Sequence, residues 1–275
     1  MHCPLSVLFW IVIKKMKILN DFISNFNRKI QVKKDMREYL KIIKELDSNH
    51  IHYGYFTYKT RKTINKKEFV EAQNNISNLI ISNIPKNVKF ILDLGGGIGG
   101  ISHDLKKRDY NPYCIVPDKI LINEGKKRFK DIKFIKSTAE IFRLKDKFDL
   151  CIMIESFQFF YNKRKALRNI LLHLKQKSYI LILDEFSYSS EVSKNLPIEI
   201  KYINTLKKNN FNVIYNKDLS RGIIPTFDYG YNHFLQNNSK LAESYLKTKN
   251  EYLSNKRKYK LIIMIKNEKI NKKHI

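Results

Sequence analysis

A glycine-rich run that follows an acidic residue is the strongest chemical signal in this chain. The run Asp93-Leu-Gly-Gly-Gly-Ile-Gly-Gly100 follows an apolar stretch that is strand-like over 88–94. Glycine permits positive φ angles and leaves no Cβ between backbone and ligand, and a helix that begins after the run offers free N–H groups. These properties suit a flat, partly polar adenosine ligand at the tip of a strand.

The glycine spacing alone leaves the cofactor open. Gly95, Gly97 and Gly100 also satisfy the dinucleotide pattern G-x-G-x-x-G, so a dinucleotide-dependent oxidoreductase is one alternative. Asp93 argues against it, because a carboxylate repels a pyrophosphate but attracts the cationic amino group of a methionine moiety. A long helical lead-in also precedes the turn, whereas a dinucleotide fingerprint commonly opens its domain.

The elements that must position the turn are short apolar runs alternating with helix-like segments. Apolar runs predict strands over 88–94, 113–116, 132–135, 148–154, 179–183, 211–215 and 260–265. Helical patterns lie between them, at 101–108, 119–129 and 165–174, with one helix expected between the last two strands. This alternation predicts an α/β fold with an open, doubly wound, mostly parallel, seven-stranded Rossmann-like sheet. Ligands bind such sheets beyond the carboxyl ends of the strands.

An N-terminal helical extension precedes this sheet. Apolar residues recur at helical spacing over 17–46, an aromatic loop is expected at 50–56, and a further helix at 67–83. We therefore divide the chain into a leader over 1–15, a helical cap with the aromatic loop over 16–84, and the main domain over 85–275. The leader is either interfacial or precedes a true start at Met16. Its apolar run, Leu5–Ile13, is too short for a stable membrane span, which needs about 20 residues.

Composition limits which binding partners and which cellular compartment are expected for this chain. The formal net charge of +27 suggests a polyanionic partner, but the lysines are spread along the whole chain in a sequence rich in Ile, Asn and Tyr. We interpret the charge mainly as a solvated surface, and a nucleic-acid partner remains an alternative. Cys114 and Cys151 lie inside apolar runs, which fits free thiols in a reducing compartment and predicts a cytoplasmic location.

Several motifs together carry a resemblance to a known family. The glycine run resembles the first motif of the class I S-adenosylmethionine-dependent methyltransferases. His50-Ile-His-Tyr-Gly-Tyr-Phe56 is similar to the His-rich, Gly-Tyr loop of the sterol and tocopherol methyltransferase group. Glu155-Ser-Phe-Gln-Phe-Phe160 resembles the Glu-Ser-x-x-His-Phe segment of that group, with Phe159 in the histidine position. The C-terminal segments 211–220 and 259–265 follow the same pattern, so the resemblance covers about 48–265.

The resemblance implies a cofactor, S-adenosyl-L-methionine, and residues to bind it. The implied cofactor contacts are Tyr55, Asp93, Gly95, Gly97, Ala139, Glu140 and Ile154. Asp93 and the glycines would line the methionine and ribose, Ala139 and Glu140 would flank the adenine, and Ile154 would close the crevice. One departure concerns the ribose, because Val116 stands where the family has an acidic residue. We expect Asp118 to replace that acid, since it lies two residues on and on the same face if the strand continues.

Methyl transfer is an in-line displacement that requires alignment and exclusion of water, and a base only when the nucleophile loses a proton. His52, Tyr53 and Glu155 are the catalytic candidates, with Tyr53 or Tyr55 as a lid over the cofactor. A structural role for His52 is the alternative. We predict no metal, because no Cys or carboxylate stands at ligand spacing from His50 and His52.

Aromatic residues after the fourth and fifth strands indicate a small, apolar or aromatic acceptor, unless they are ordinary core residues. They are Phe157, Phe159, Phe160, Tyr161, Phe186 and Tyr188. Asp184 and Glu185, at the same rim, could position an acceptor hydroxyl or amine. An RNA methyltransferase is the main alternative, although the Pro-Pro-aromatic segment that holds a flipped base is missing after strand four. A non-catalytic relative that keeps the cofactor pocket is a further alternative.

Overall fold

The computed structural model describes residues 37, 40–57, 63–192, 196–236 and 238–267. The predicted leader and most of the helix expected over 17–46 lie outside these residues, although 40–46 are helical. The chain divides into two compact units, 1–47 and 48–275. The aromatic loop and the helix that follows it, which we grouped with the N-terminal cap, belong to the second unit.

A seven-stranded sheet forms the centre of the second unit and confirms the predicted fold class. Its strands are β1 (Phe90–Leu94), β2 (Asn111–Val116), β3 (Lys133–Lys136), β4 (Phe148–Ile154), β5 (Leu174–Ser187), β6 (Phe211–Asp218) and β7 (Arg257–Lys266). They are ordered β3-β2-β1-β4-β5-β7-β6. The first five strands pair in parallel, whereas β7 runs antiparallel to both of its neighbours.

The strand order places a crevice at the carboxyl end of β1. The chain moves outward from β1 to β2 and β3, and then returns to pair β4 with the other edge of β1. Loops leaving β1 and β4 therefore diverge, and the space between them is where ligands bind in doubly wound sheets. The register sets Asp93 of β1 opposite Ile152 of β4, so the glycine turn and Glu155 leave the same edge of the sheet.

Helices pack on both faces of this sheet. They are α1 (Lys66–Ser82), α2 (Gly100–Lys106), α3 (Lys119–Arg128), α4 (Lys163–His173), α5 (Glu199–Lys207), α6 (Ser220–Phe234) and α7 (Ser239–Leu253), with a 3-10 turn at Phe157–Phe159. The apolar spacing predicted α1, α3 and α4 to within two residues at each end. The N-terminus of α1 carries a capping box, in which Asn65 and Glu68 each accept a hydrogen bond from the other's backbone N–H.

Three sequence-based expectations needed correction. Two helices, not one, connect β6 to β7, because the Asn238 side chain accepts a hydrogen bond from the Leu241 N–H and starts a new helix. Helix α5 was not predicted. Strand β5 extends over 174–187 rather than 179–183. Its polar beginning interrupts the apolar pattern, and there it pairs with β4 at Leu174, opposite Phe148, before the register shifts. Among the described residues, no helix combines the length and apolarity needed to cross a bilayer.

Candidate active site

The glycine turn adopts backbone conformations that require glycine. Gly95, Gly97 and Gly99 have φ angles of +78°, +59° and +88°. Neighbouring side chains also approach the turn closely: a Cβ on Gly95 would lie 2.5 Å from Cβ of Ser156, and one on Gly97 would lie 2.4 Å from Cδ1 of Ile51. The turn therefore lies between the segment after β4 and the aromatic loop, with no room for side chains of its own.

Asp93 supports this turn from below. Its side chain is 1% exposed, and its Oδ2 accepts a hydrogen bond from the Ser102 hydroxyl at 2.7 Å. The carboxylate lies directly under Gly96, and the Cys114 thiol donates to it. Burial raises the pKa of Asp93 to about 6, although the bonds from Ser102 and Cys114 oppose the shift. These partners are local and structural, so the expected contact with a cofactor amino group stays a prediction.

The aromatic loop at 48–56 is held by two helices that are distant in sequence. On one side, the Gln73 side-chain amide of α1 donates to the carbonyls of His50 and His52, at 3.1 and 2.8 Å. On the other, Thr226 of α6 accepts a hydrogen bond from the Gly54 N–H at 3.0 Å and donates one to the Gly54 carbonyl at 3.1 Å. The loop therefore has a defined conformation over the carboxyl edge of the sheet.

Two residues of this loop, Tyr55 and Ile51, contact α6 and the glycine turn, respectively. The Tyr55 ring packs against Gly222 of α6, where an added Cβ would lie 2.2 Å from Cε2. Ile51, which the sequence analysis did not single out, lies against Gly97. An isoleucine among histidines and tyrosines carries no chemical signal of its own, and its role follows only from the fold. A cofactor contact by Tyr55 stays a prediction.

Glu155 occupies a constrained position at the tip of β4. Its φ angle is +46°, which is unusual for a residue with a side chain, and its N–H donates to the Leu183 carbonyl at 2.8 Å. Its Oε1 accepts hydrogen bonds from the Tyr53 N–H at 2.9 Å and from the Tyr259 hydroxyl at 2.6 Å. The structure thus brings together two of the three predicted catalytic residues, Tyr53 and Glu155.

The environment of Glu155 favours its protonated form. Burial raises its pKa to about 8, and the carboxylates of Glu185 and Asp184 act in the same direction. The hydrogen bonds from Tyr259 and the Tyr53 N–H oppose this shift. A carboxyl group with a pKa near neutrality can both take up and release a proton, as a general base requires.

A second buried carboxylate, Glu185 of β5, lies on the far side of Tyr53. Its Oε1 accepts hydrogen bonds from the hydroxyls of Tyr53 and Tyr252, at 3.3 and 2.7 Å. Arg257 of β7 donates to the same oxygen through Nη1 at 3.0 Å, and to Glu251 of α7 through Nη2. Glu185 was predicted at this rim, whereas Tyr252, Arg257 and Tyr259 were not, because they belong to α7 and to the antiparallel strand β7, far along the chain from the motifs.

His52 is the third catalytic candidate, and its ring is buried. Its Nδ1 lies 2.9 Å from the Tyr53 carbonyl oxygen, so we assign the ring proton to Nδ1 and a lone pair to Nε2. That Nε2 has no hydrogen-bond partner among the described residues. Burial lowers the pKa of His52 to about 3, and the neighbouring His50 ring, with its centroid at 4.8 Å, lowers it further. His52 is therefore neutral near pH 7.

The residues expected at the ribose and the adenine have structural partners. Strand β2 ends at Val116, so the premise that the strand continues to Asp118 is wrong. Asp118 instead caps α3, and its Oδ1 accepts a hydrogen bond from the Ile120 N–H at 2.7 Å. Buried Glu140 accepts from the Asn162 N–H at 3.0 Å. The cofactor roles of Asp118 and Glu140 stay predictions.

The remaining predicted cofactor residues are Ile154 and Ala139. Ile154 is the last residue of that strand and is partly exposed. The carbonyl of buried Ala139 accepts a hydrogen bond from the Asn169 amide at 3.0 Å.

In the part of the chain that the structure describes, no three His, Cys, Asp or Glu side chains are grouped to hold a metal ion.

The aromatic residues after β4 and β5 divide into two sets. Phe157, Phe160 and Phe186 belong to the hydrophobic core, so for them the interpretation as ordinary core residues applies. Phe159, Tyr161 and Tyr188 are 43, 52 and 48% exposed. Asp184 has a structural function as well, because it accepts hydrogen bonds from the N–H groups of Phe157 and Glu185.

Comparisons with known proteins agree with this geometry. Residues 92–182 match the family model of a methyltransferase domain. The fold is similar to an O-methyltransferase of a polyketide multienzyme from Brevibacillus brevis, with a TM-score of 0.67 and 16% identity over 79% of this chain and 84% of that one. The structure of that protein contains S-adenosyl-L-homocysteine. No protein of curated function matches the sequence.

Two further solved structures have the same fold. Geranyl diphosphate C-methyltransferase from Streptomyces coelicolor aligns with a TM-score of 0.67 and 12% identity, over 79% of this chain and 88% of that one. The cyclase SpnF aligns with a TM-score of 0.65 and 14% identity, over 82% and 93% of the two chains. At these identities the likeness concerns the fold, and the fold supports more than one kind of reaction.

Proposed function

We propose that this chain, a class I S-adenosylmethionine-dependent methyltransferase, transfers the cofactor's methyl group to a small-molecule acceptor. The match over 92–182 and the strand order support the family assignment. The observation that carries the proposal is Glu155, a carboxyl group at the same sheet edge as the glycine turn with a pKa of about 8. A proton-accepting group at that position suits an acceptor whose nucleophile must lose a proton.

The residues around the turn fit S-adenosylmethionine. Gly95 and Gly97 have positive φ angles, Gly95 is partly exposed at the tip of β1, and a Cβ at either position would enter occupied space. The buried Nε2 of His52 has no partner among the residues described, and it supplies a polar contact in the loop that crosses the turn. The bound cofactor would supply a methyl group already activated by a sulfonium.

We assign the cofactor contacts by position around this turn. Gly95 and Gly97 approach the methionine and ribose through their backbone, and Asp93 holds the turn and attracts the methionine amino group. Asp118 contacts the ribose with the carboxylate oxygen that does not cap α3. The remaining proposed contacts are Ala139 and Glu140 at the adenine, Ile154 below the methyl group, and Tyr55 at the edge of the lid.

Glu155 acts as the base in this proposal. Its Oε1 receives the Tyr53 N–H and the Tyr259 hydroxyl, which orients the carboxyl group. A raised pKa makes the carboxylate a stronger proton acceptor than an ordinary glutamate. Tyr53 then serves mainly to orient Glu155 and exclude water, and neutral His52 offers a second lone pair at Nε2.

The charges near Glu155 favour a neutral or cationic acceptor. Glu185 and Glu251 share one guanidinium, that of Arg257, so ionisation of Glu155 adds a further negative charge. A phosphate or diphosphate would be repelled there. Exposed aromatic side chains such as Phe159 and Tyr161 support an apolar or aromatic body for the acceptor. The finer resemblance to sterol and tocopherol enzymes stays a prediction.

Labelled S-adenosylmethionine tests the proposal directly. The full chain is incubated with the labelled cofactor and extracts of the source cells, and the labelled product is identified. Transfer to a small organic molecule is the expected result. Binding of S-adenosylhomocysteine without transfer to any extract component would instead favour a non-catalytic relative.

Two alternatives have their own tests. The net charge of +27 favours an RNA methyltransferase, and filter binding across a salt titration would detect it as tight, salt-sensitive RNA binding. A dinucleotide-dependent oxidoreductase has the strand order 3-2-1-4-5-6, whereas here an antiparallel β7 lies between β5 and β6. Thermal stabilisation by S-adenosylhomocysteine and not by NAD is the expected result.

A further inference from the structure

Tyr53 connects two carboxylates, one that directly follows β4 and one in the neighbouring strand β5. Its backbone N–H donates to Glu155, and its hydroxyl, at the other end of the side chain, donates to Glu185. We infer that Glu185, held by Arg257, is a positioning residue that fixes Tyr53 and thereby directs the Tyr53 N–H onto Glu155. This inference rests on the proposed role of Glu155 in proton transfer.

The surroundings of Glu185 leave it little freedom. Its side chain is only 4% exposed, and one oxygen, Oε1, accepts hydrogen bonds from Tyr53, Tyr252 and Arg257. These donors come from the aromatic loop, from α7 and from β7. A buried carboxylate with charged and neutral donors of this kind has a defined rotamer, and it can therefore orient a weaker partner such as Tyr53.

Arg257 keeps this carboxylate in place. Its guanidinium is 11% exposed and bridges Glu185 and Glu251, using one terminal nitrogen for each. A planar guanidinium can bond two carboxylates at once, which an ammonium group does less well. Because Arg257 begins β7, the antiparallel strand beside β5, the pair also connects the C-terminal part of the sheet to the aromatic loop.

Aromatic packing restricts Tyr53 further. Its ring centroid lies 5.1 Å from that of Phe227 and 5.7 Å from that of Tyr259. The ring is therefore confined between α6 and β7, and its hydroxyl reaches Glu185 along one direction. Loss of the hydroxyl contact should let the loop backbone move, which would weaken the bond from the Tyr53 N–H to Glu155.

Glu185 also acts on Glu155 through its charge. The titratable groups that face Glu155 are Tyr53 from the loop, Tyr259 from β7, and Asp184 and Glu185 from β5. The negative charge of Glu185 disfavours ionisation of Glu155. Glu185→Gln should therefore loosen the Tyr53 N–H and remove this charge. The two changes move the pH at which Glu155 titrates in opposite directions, because the bond from the Tyr53 N–H lowers the pKa of Glu155.

The experiment follows Glu155 without any acceptor. The full chain is labelled with carboxyl-13C glutamate, the Glu155 signal is identified by its loss in Glu155→Gln, and the signal is titrated by NMR. Amide exchange of the Tyr53 N–H is measured on the same proteins. Tyr53→Phe removes only the hydroxyl, and Glu191→Gln is the matched control, since that glutamate follows β5 but is 69% exposed.

The expected results differ between the variants. In Glu185→Gln the Tyr53 amide exchanges roughly tenfold faster, and the Glu155 midpoint lies below that of Tyr53→Phe, which loosens the N–H but keeps the charge of Glu185. Tyr53→Phe reproduces the faster exchange, because the N–H loses its support, and Glu191→Gln changes neither. Unchanged exchange of the Tyr53 amide in Glu185→Gln would overturn the inference, whatever the midpoint does. The readout needs no methyl transfer, so inactivity of the native chain would count against the proposed function alone.

Discussion

The backbone N–H of Tyr53 lies 2.9 Å from Oε1 of Glu155, although 102 positions separate the two residues in the chain. One belongs to the aromatic loop and the other directly follows β4, so this bond fixes the loop to the carboxyl edge of the sheet. It also places the loop beside the glycine turn, where Ile51 of the same loop contacts Gly97. Each part of this arrangement can be tested separately.

Glu155→Gln should lower the rate of methyl transfer by about 100-fold or more, because an amide cannot take up the acceptor's proton. The affinity for S-adenosylhomocysteine, measured by calorimetry, should change less than about threefold. In the native chain, activity should rise with pH through about 8 as Glu155 ionises. Full activity in Glu155→Gln would exclude Glu155 as the base, and Glu191→Gln serves as the control.

Gly97→Ala should weaken S-adenosylhomocysteine binding about tenfold and destabilise the fold by about 1–2 kcal/mol, because of the positive φ and the contact with Ile51. Adding Ile51→Ala to this variant should restore part of the loss, since it removes the steric contact but not the backbone strain. Denaturation and calorimetry on the two single variants and the double variant would give the coupling free energy between Gly97 and Ile51. Strictly additive effects would show that Ile51 and Gly97 are independent.

Two substitutions of Asp118 separate its cap from a role at the ribose. Asp118→Asn keeps a side-chain oxygen for the Ile120 N–H but loses the charge, so stability should change by less than about 0.5 kcal/mol. If the carboxylate binds the ribose, the affinity for S-adenosylhomocysteine should fall about tenfold. Asp118→Ala should lose both the helix cap and the proposed ribose contact, and the lost cap should cost about 1 kcal/mol in stability. Native affinity in Asp118→Asn would remove Asp118 from the cofactor site.

Thr226→Val should destabilise the fold by about 2 kcal/mol, because the buried Gly54 N–H and carbonyl both lose their partner. Hydrogen exchange of the loop amides should increase at the same time. Thr205→Val is the matched control, since the Thr205 hydroxyl bonds only within the exposed face of α5. Urea denaturation of the two variants gives the comparison, and equal losses would argue against Thr226 as the anchor of the loop.

Asp93→Asn should flatten the dependence of stability on pH. The folded pKa of Asp93 is raised from 3.8 to about 6, so the native state holds the proton more tightly than the unfolded state does. Its contribution, on the order of 3 kcal/mol, is fully present below pH 3.8 and is lost as the pH rises through 6. Urea denaturation between pH 4 and 7 would measure the slope, and the exposed Asp146→Asn should leave it unchanged. If the free energy of unfolding of Asp93→Asn depends on pH as steeply as that of the native chain, Asp93 is not the group responsible.

The sequence alone determined the existence of the sheet, the glycine turn and the residues at the carboxyl edge of the sheet. Apolar runs and glycine spacing are properties of consecutive residues, and they depend on local sterics and burial rather than on distant contacts. Val116 in place of an acid was visible in the same way. For this reason the carboxyl ends of β1 and β4, the turn and the position of Glu155 follow from the chain without its fold.

Only the tertiary structure decided which partners these residues have. Asp93 binds Ser102 beneath the turn, and Asp118 caps a helix. Phe157 and Phe160 after β4, and Phe186 within β5, belong to the core. Arg257 reaches Glu185 because the antiparallel β7 lies next to β5. Strand order and register set such contacts over long sequence separations, and no local pattern carries that information. The glycine turn therefore predicts the family, whereas the fold assigns the surroundings of Glu155.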